Sequence, residues 1–427
     1  MQKTGKYHTI RIFLPVAVLL LLCIVSGCTA ASSNTSEDAG YELLTLEEID
    51  LDELTPPSQD TGPVYTGPVF FDAFDLDLVE SDLRAHPTEN RMVSPLSLKF
   101  ALGLLEAGAG EECKKEILQA LGKETEEEME RELRLFQEFS GSFRAAAGNK
   151  EALCLTNSIW TVDDGKRKFS KLYREKAEQL YQAEARSEKK EHFAENVNRF
   201  VADKTNNMIR DIIPADYDLN NTAAALVNTL YLNDVWEIPV YSHIIMFNDI
   251  EGNRSEKEAI HSREYYRYYE DEGGKLVILP MKHGISAVFV LGDTGDLNRK
   301  IASAEKWKTD VEIPFMDFST SVSSGELKDF LESRGMKKSF RVTEADFSPM
   351  MDGDDVYVES VLQKTKIKLD EKGMEAAAAT TVVMVSKSAS PMEEEYKTFY
   401  ADEPFSFYIY ADANGEGQIL FGGRMVK

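Results

Sequence analysis

Residues 371–388 read Glu-Lys-Gly-Met-Glu-Ala-Ala-Ala-Ala-Thr-Thr-Val-Val-Met-Val-Ser-Lys-Ser. Two tendencies compete in this stretch. Alanine is the best helix former, so Ala376, Ala377, Ala378 and Ala379 in a row favour helix. Gly373 stands before them, and Thr380 to Val385, Met384 apart, is β-branched, which favours strand. As a strand the segment places Met374, Ala376, Ala378, Thr380 and Val382 on one uncharged face that can be buried. The opposite face carries Glu375, Ala377, Ala379 and Thr381 and suits solvent. A segment able to enter a sheet late needs small buried residues and a flexible pivot, and this one has both. Spacing alone leaves helix and plain loop open as well.

On either side of this segment the chain is regular. Helical periodicity is clear over Glu111 to Leu121, Glu124 to Phe139, Phe169 to Leu180 and Glu195 to Ile212. Alternating or continuous apolar runs predict strands over Leu153 to Val162, Ala224 to Leu232, Lys275 to Met281 and Ser286 to Leu291. Further strands are predicted over Lys308 to Phe315, Tyr357 to Leu369, Phe405 to Tyr410 and Gln418 to Met425. Helices dominate the first half and strands the second, which argues for an α+β fold rather than a doubly wound parallel sheet. No repeat and no Pro/Gly-rich break interrupts residues 70–427, which read as one globular unit.

The 427-residue chain is 43% hydrophobic and 29% charged, which excludes a mainly disordered protein. Its formal net charge of −26 repels phosphate backbones and excludes nucleic acid as a partner. Catalytic constellations are missing: there is no HExxH, no paired CxxC, no GxxxxGK[ST] and no GxSxG. His86, His192, His243, His261 and His283 lie in mostly polar contexts and read as surface residues rather than bases or ligands. Cys113 falls in a charged helix and Cys154 in an apolar strand; whether they pair depends on geometry. The expectation is a protein that is not an enzyme and holds no metal or cofactor.

At the N-terminus Lys3, Lys6 and Arg11 precede an apolar run, Ile12 to Val25, too short for a comfortable membrane span. It ends in Val25-Ser26-Gly27-Cys28, which resembles a bacterial lipobox. The resemblance implies removal of residues 1–27 and lipidation of Cys28, which anchors the protein to the outer side of a membrane without spanning it. An ordinary secretory signal or an uncleaved anchor helix is the other reading. Residues 28–69, acidic and containing Ser and Pro, then read as a tether. The expected location is the bacterial cell envelope, outside the cytoplasm.

Six ordered landmarks carry a resemblance over residues 70–427. They are Asn90 to Ser97 with Ser94-Pro95-Leu96-Ser97, then Gly108-Ala109-Gly110, and Val227-Asn228-Thr229-Leu230-Tyr231-Leu232 with Trp236. Ile313-Pro314-Phe315 with Leu327 to Phe340, Ala345-Asp346-Phe347-Ser348, and Pro404-Phe405 with Ile419-Leu420-Phe421-Gly422-Gly423 complete the set. Together they resemble the serpins. The resemblance implies three β-sheets, eight or nine helices and an exposed C-terminal reactive loop. A protease attacks that loop as a substrate and forms an acyl-enzyme with it. The cleaved loop then inserts as an extra strand and traps the protease before deacylation.

Within the resemblance, Glu371, Gly373, Met374, Glu375, Ala376 to Ala379 and Thr380 match the hinge of inhibitory members. Met374 departs from it, because a small hydroxyl or aliphatic residue is usual there, and it could slow insertion. Counting from the hinge glycine puts the reactive bond at Lys387–Ser388, with Val385 and Ser386 as neighbours. A lysine there implies a trypsin-like serine protease as the partner. A monomer is expected. Ser94, Ser97 and Asn228 match positions beneath the centre of the main sheet, with Gln363 where a histidine is frequent, and Trp236 matches the top. A non-inhibitory member acting as protease substrate, chaperone or binding module is the competing expectation, and inhibition of cysteine proteases is a further one.

Overall fold

The structure, a computed structural model, describes residues 69–147, 152–163, 165, 168–214, 224–352, 357–358, 361–374, 395–413 and 415–427. All of them fall within one unit, Pro63–Lys427. Cys28, the hinge residues Glu375 to Thr380 and the bond Lys387–Ser388 lie outside the described residues.

Local chemistry starts the elements. After β1 (Phe70–Phe71), Asp72 caps α1 (Ala73–Ala85) by accepting the Phe74 N–H at 2.7 Å. Strand β2 (Arg91–Val93) runs into Ser94, the cap of α2 (Pro95–Glu106), whose first residue is a proline pre-set for a helix start. All twelve residues of α2 are buried, so no apolar stripe marks it in the sequence. Helices α3 (Glu111–Leu121) and α4 (Glu126–Ala147) lead to β3 (Ala152–Val162) and β4 (Lys168–Phe169). Then come α5 (Lys171–Tyr181), β5 (Ala183–Glu188), α6 (Phe193–Lys204) and β6 (Ala225–Val235).

The strand-rich half holds β7 (Tyr241–Asn248), β8 (Arg254–Asp271), β9 (Gly274–Pro280), β10 (Ile285–Gly292), α7 (Leu297–Ala302), β11 (Glu305–Pro314) and β12 (Met316–Val322). Helix α8 (Ser324–Ser333) opens with a capping box between Ser323 and Glu326. The chain closes with β13 (Met351–Asp352), β14 (Val361–Asp370), β15 (Gly373–Met374), β16 (Lys397–Tyr400), β17 (Phe405–Ala413) and β18 (Glu416–Met425).

Among the described residues these strands form three sheets of ten, six and two strands, with eight α-helices. The largest runs β1-β18-β17-β10-β9-β8-β11-β16, with β2 on β18 and β7 on β8. The second runs β12-β14-β15-β6-β3-β5, and β13 pairs with β4. Helix α2 packs against both β18 and β6, so it ties the two larger sheets together. The α+β expectation holds.

Some expectations shift. The helix predicted to Ile212 ends at Lys204, because Asn206 and Asn207 adopt left-handed φ angles of 48° and 63°. Strands β7 and β8 escape the sequence because both faces carry polar residues along much of their length. Cys113 and Cys154 are both free, which answers the pairing question. His283 is not a surface residue: its side chain is 5% exposed and its Nδ1 lies 2.7 Å from the buried carboxylate of Asp234.

Candidate functional site

In the six-stranded sheet β14 and β6 run parallel, in register at Val361 with Leu226 and Leu362 with Val227. At the other end β15 stands between them. Met374 pairs with Leu369 on one side and Asp234 on the other, and Gly373 pairs with Asp370 and Val235, antiparallel to both strands. The sheet is therefore closed at one end and wedged open at the other by two residues of the sequence-predicted hinge.

Gly373 is required at this point. Its φ is +143°, and a Cβ there would sit 2.1 Å from the Asp234 carbonyl oxygen and 2.7 Å from the Val235 Cα. Met374 is 2% exposed. It borders a small cavity between β6 and β14 that Leu230, Leu232, Lys366, Met208 and Phe421 also line. The methionine that departs from the family pattern is thus already buried at the edge of the gap, filling irregular space as an unbranched thioether can.

The reverse turn into β15 is pinned from outside. The Lys372 N–H donates to the Asp370 side chain at 2.9 Å, and the Trp236 indole N–H donates to the Asp370 carbonyl at 2.9 Å. Trp236 is buried, so the residue placed at the top of the sheet has both a packing and a positioning role. Glu371 is half-buried in the same turn. Beside it, Asp234 accepts from the Val235 N–H at 2.8 Å and pairs with His283. Burial pushes the Asp234 carboxyl above its ordinary range, against the pull of the His283 hydrogen bond. Sequence reading missed this pair, because residues 49 positions apart meet only through the β6 register and the β9–β10 turn.

Beneath the middle of the sheet the other predicted residues come together in one network. Gln363 and Ser94 bond reciprocally: the Ser94 N–H donates to Gln363 Oε1 at 3.0 Å, and Gln363 Nε2 donates to the Ser94 carbonyl at 2.8 Å. The Ser94 hydroxyl donates to the Leu420 carbonyl at 2.6 Å and accepts the Ser97 N–H. The Ser97 hydroxyl donates to the Asn228 side-chain carbonyl, and the Asn228 amide donates to Asn157. Asn157 then reaches the Tyr181 carbonyl at 3.1 Å.

A continuous polar chain therefore links β14, the start of α2, β6, β3 and the end of α5, across the place where β14 and β6 part. Asn157 is the member that sequence reading omitted; an asparagine inside an apolar strand, directly opposite Asn228, was the available signal. Neither serine is set against a base, because both hydroxyls are spent on these partners. The arrangement ties the parting strands to the start of α2.

The family model for Serpin (serine protease inhibitor) matches residues 71–427. The chain is 30% identical to Serpin-Z2A of Triticum aestivum over 366 residues, covering 79% of this chain and 90% of that one. It is 29% identical to a serine protease inhibitor of Cyanea capillata, over 79% of this chain and 92% of that one. Among solved structures it resembles a thermophilic serpin, tengpin, in the native state, at 26% identity and a TM-score of 0.70, covering 83% of this chain and 92% of that one.

Proposed function

Because the chain belongs to the serpin family, we propose that it is an irreversible suicide-substrate inhibitor of trypsin-like serine proteases, cleaved at Lys387–Ser388. The observation that supports this most is the position of Gly373 and Met374, already inside the sheet and antiparallel to both β14 and β6. The protease serine attacks the Lys387 carbonyl carbon. The Lys387–Ser388 C–N bond breaks, the protease histidine gives its proton to the departing Ser388 amine, and an ester joins Lys387 to the protease.

Once the chain is cut, the residues after Met374 can follow it between the strands. Each inserted residue gains ladder bonds to neighbours that are otherwise parallel and only partly paired. The small inward residues Ala376 and Ala378 fit a gap that leaves little room beyond Met374. The attached protease is carried along, and its ester persists.

Incubation with trypsin, read by denaturing gel and intact mass, tests the reading. The expected result is a covalent complex and a released peptide that begins at Ser388, both lost in Lys387→Ala. Cleavage without a complex would favour the substrate reading and point to Met374 as the cause.

The proposal includes export and lipid anchoring through Cys28, supported by the Val25-Ser26-Gly27-Cys28 tetrapeptide after a short apolar run. Cys28→Ser should remove the lipid mass and move the protein out of the membrane fraction. Unchanged mass and partitioning would refute the anchor.

A further inference from the structure

The end of β6 that receives the hinge is stapled on the side away from it. Among the described residues the pairing of β3 with β6 begins at Ala152, opposite Asn233, so Asp234 to Glu237 lie past it. They run instead beside the turn between β9 and β10. There the Lys282 N–H donates to the Val235 carbonyl at 2.9 Å and the Glu237 N–H to the Pro280 carbonyl at 3.0 Å, while Trp236 forms a β-bridge with Met281. The Val235 N–H donates to the Asp234 carboxylate at 2.8 Å. The same carboxylate accepts from the His283 N–H at 3.3 Å and lies 2.7 Å from His283 Nδ1. Both side chains are buried, and the imidazole packs on Phe143 with ring centres 5.1 Å apart.

This staple decides which backbone groups face the hinge. In an antiparallel ladder alternate residues turn their N–H and C=O to opposite neighbours. Both groups of Val235 are held on the side of the turn. Asp234 and Trp236, one residue either way, therefore turn theirs to β15. The Trp236 N–H donates to the Lys372 carbonyl at 3.4 Å, and a Cβ on Gly373 would meet the Asp234 carbonyl oxygen. Continued down β6, the register that pairs Met374 with Asp234 brings Ala376 to Leu232 and Ala378 to Leu230 once the loop is inserted. A slip of one residue at this end would present Val235 instead and put every later pair out of step. The bond between Asp234 and His283 is the side-chain part of the staple, so it can be removed without touching the backbone.

We infer that Asp234 and His283 are positioning residues for loop insertion: they fix the register of the receiving end of β6 and so set how many encounters end in a trapped protease rather than a released one. The inference rests on the inhibitor reading above. After acylation two events compete, insertion of the loop and hydrolysis of the ester. The first residues to insert are those next to Met374, and they pair with β6 immediately beyond Asp234. If that end wavers between registers, the first pairs form more slowly and hydrolysis gains. Cleaved inhibitor is then released in place of complex. The pair acts through the β6 backbone.

The test measures the ratio of cleaved protein to covalent complex with trypsin, beside the thermal midpoint of each variant. His283→Phe keeps a ring against Phe143 and removes the donor. It should raise the ratio about tenfold, the worth of one hydrogen bond to a carboxylate in a ratio of rates. His283→Asn loses the ring and keeps a donor near the Nδ1 position; its midpoint should fall while its ratio stays within about twofold of the parent. Asp234→Ala removes the acceptor and should raise the ratio as His283→Phe does, which keeps the comparison open if either variant fails to fold. A ratio that follows the midpoint across the three variants, highest in the least stable, shows packing alone and overturns the positioning role. An unchanged ratio in His283→Phe and Asp234→Ala overturns it too, and leaves the inhibitor reading intact. Failure of the parent protein to form any complex overturns the inhibitor reading and this inference with it.

Discussion

Replacing Gly373 by alanine should destabilise the protein and spoil its handling of trypsin together. The added Cβ meets backbone on the neighbouring strand, 2.1 Å from the Asp234 oxygen and 2.7 Å from the Val235 Cα, and no side-chain rotation relieves it. Keeping β15 in place costs about 1–3 kcal/mol for a non-glycine residue at this φ, and the clash adds to that. Withdrawing β15 instead exposes Met374, which costs about 1.5–3 kcal/mol. It also gives up ladder bonds to β6 and β14 at about 0.5–1.5 kcal/mol each. The cheaper route therefore costs about 3–5 kcal/mol. For a folded body of about 350 residues the unfolding entropy is about 0.7 kcal/mol/K, so the thermal midpoint should fall by about 4–7 °C. The assay is thermal unfolding beside a trypsin titration, in which cleaved protein without a complex should increase. An unchanged midpoint with unchanged complex yield would refute the wedge as a structural element and with it the main support for insertion.

Three further outcomes follow from the same geometry. Gln363→Met removes both bonds to the Ser94 backbone and leaves the buried Ser94 N–H without a partner, while the Ser94 carbonyl keeps the Leu98 N–H at 3.2 Å; it should cost about 1–3 kcal/mol, read as a drop in the thermal midpoint. Ala378→Arg should turn the inhibitor into a substrate, because a charge would have to enter the sheet, and a stable trypsin complex with this variant would sink the insertion mechanism. Asp75 lies with Asp72 and Glu132 around Lys99 and Lys123, one carboxylate more than the cations, with Lys99 2.6 Å from Asp75. Burial pushes its carboxyl up to about 7, with Lys99 pulling the other way and Glu132 and Asp72 adding repulsion. A raised acid pKa stabilises the fold fully below the unfolded value and loses that contribution as pH rises towards 7. The urea midpoint of the parent, relative to Asp75→Asn, should therefore fall between pH 4 and pH 8; a constant difference would refute the shift.

Much of this was legible locally. Gly373 and the alanine run announced a pivot followed by small residues. Helix α2 went unread, since it is buried all round and shows no periodicity, and Ser94-Pro95 served only as a landmark. Predicted strands such as Leu153 to Val162 and Gln418 to Met425 came through nearly intact, because each carries a buried apolar run, Ile159-Trp160 in one and Ile419-Leu420-Phe421 in the other. Polar strands were harder. Strands β7 and β8 gave no alternation to read. His283 looked like a surface residue among Lys282 and Gly284, and its burial depends on Asp234 in a distant strand.

The sequence by itself determined which residues could enter a sheet, where the chain turns, and which landmarks recur along it, since all of these are set by side-chain size, branching and backbone freedom within a few positions. Only the tertiary structure decided that Gly373 and Met374 already stand between β14 and β6, and that one hydrogen-bonded chain runs from Gln363 through Ser94, Ser97 and Asn228 to Asn157. The physical reason is register. Gln363 and Ser94 are 269 positions apart, and a slip of one residue in β14, β6 or β3 would turn Gln363, Asn228 or Asn157, respectively, to the opposite face of the sheet.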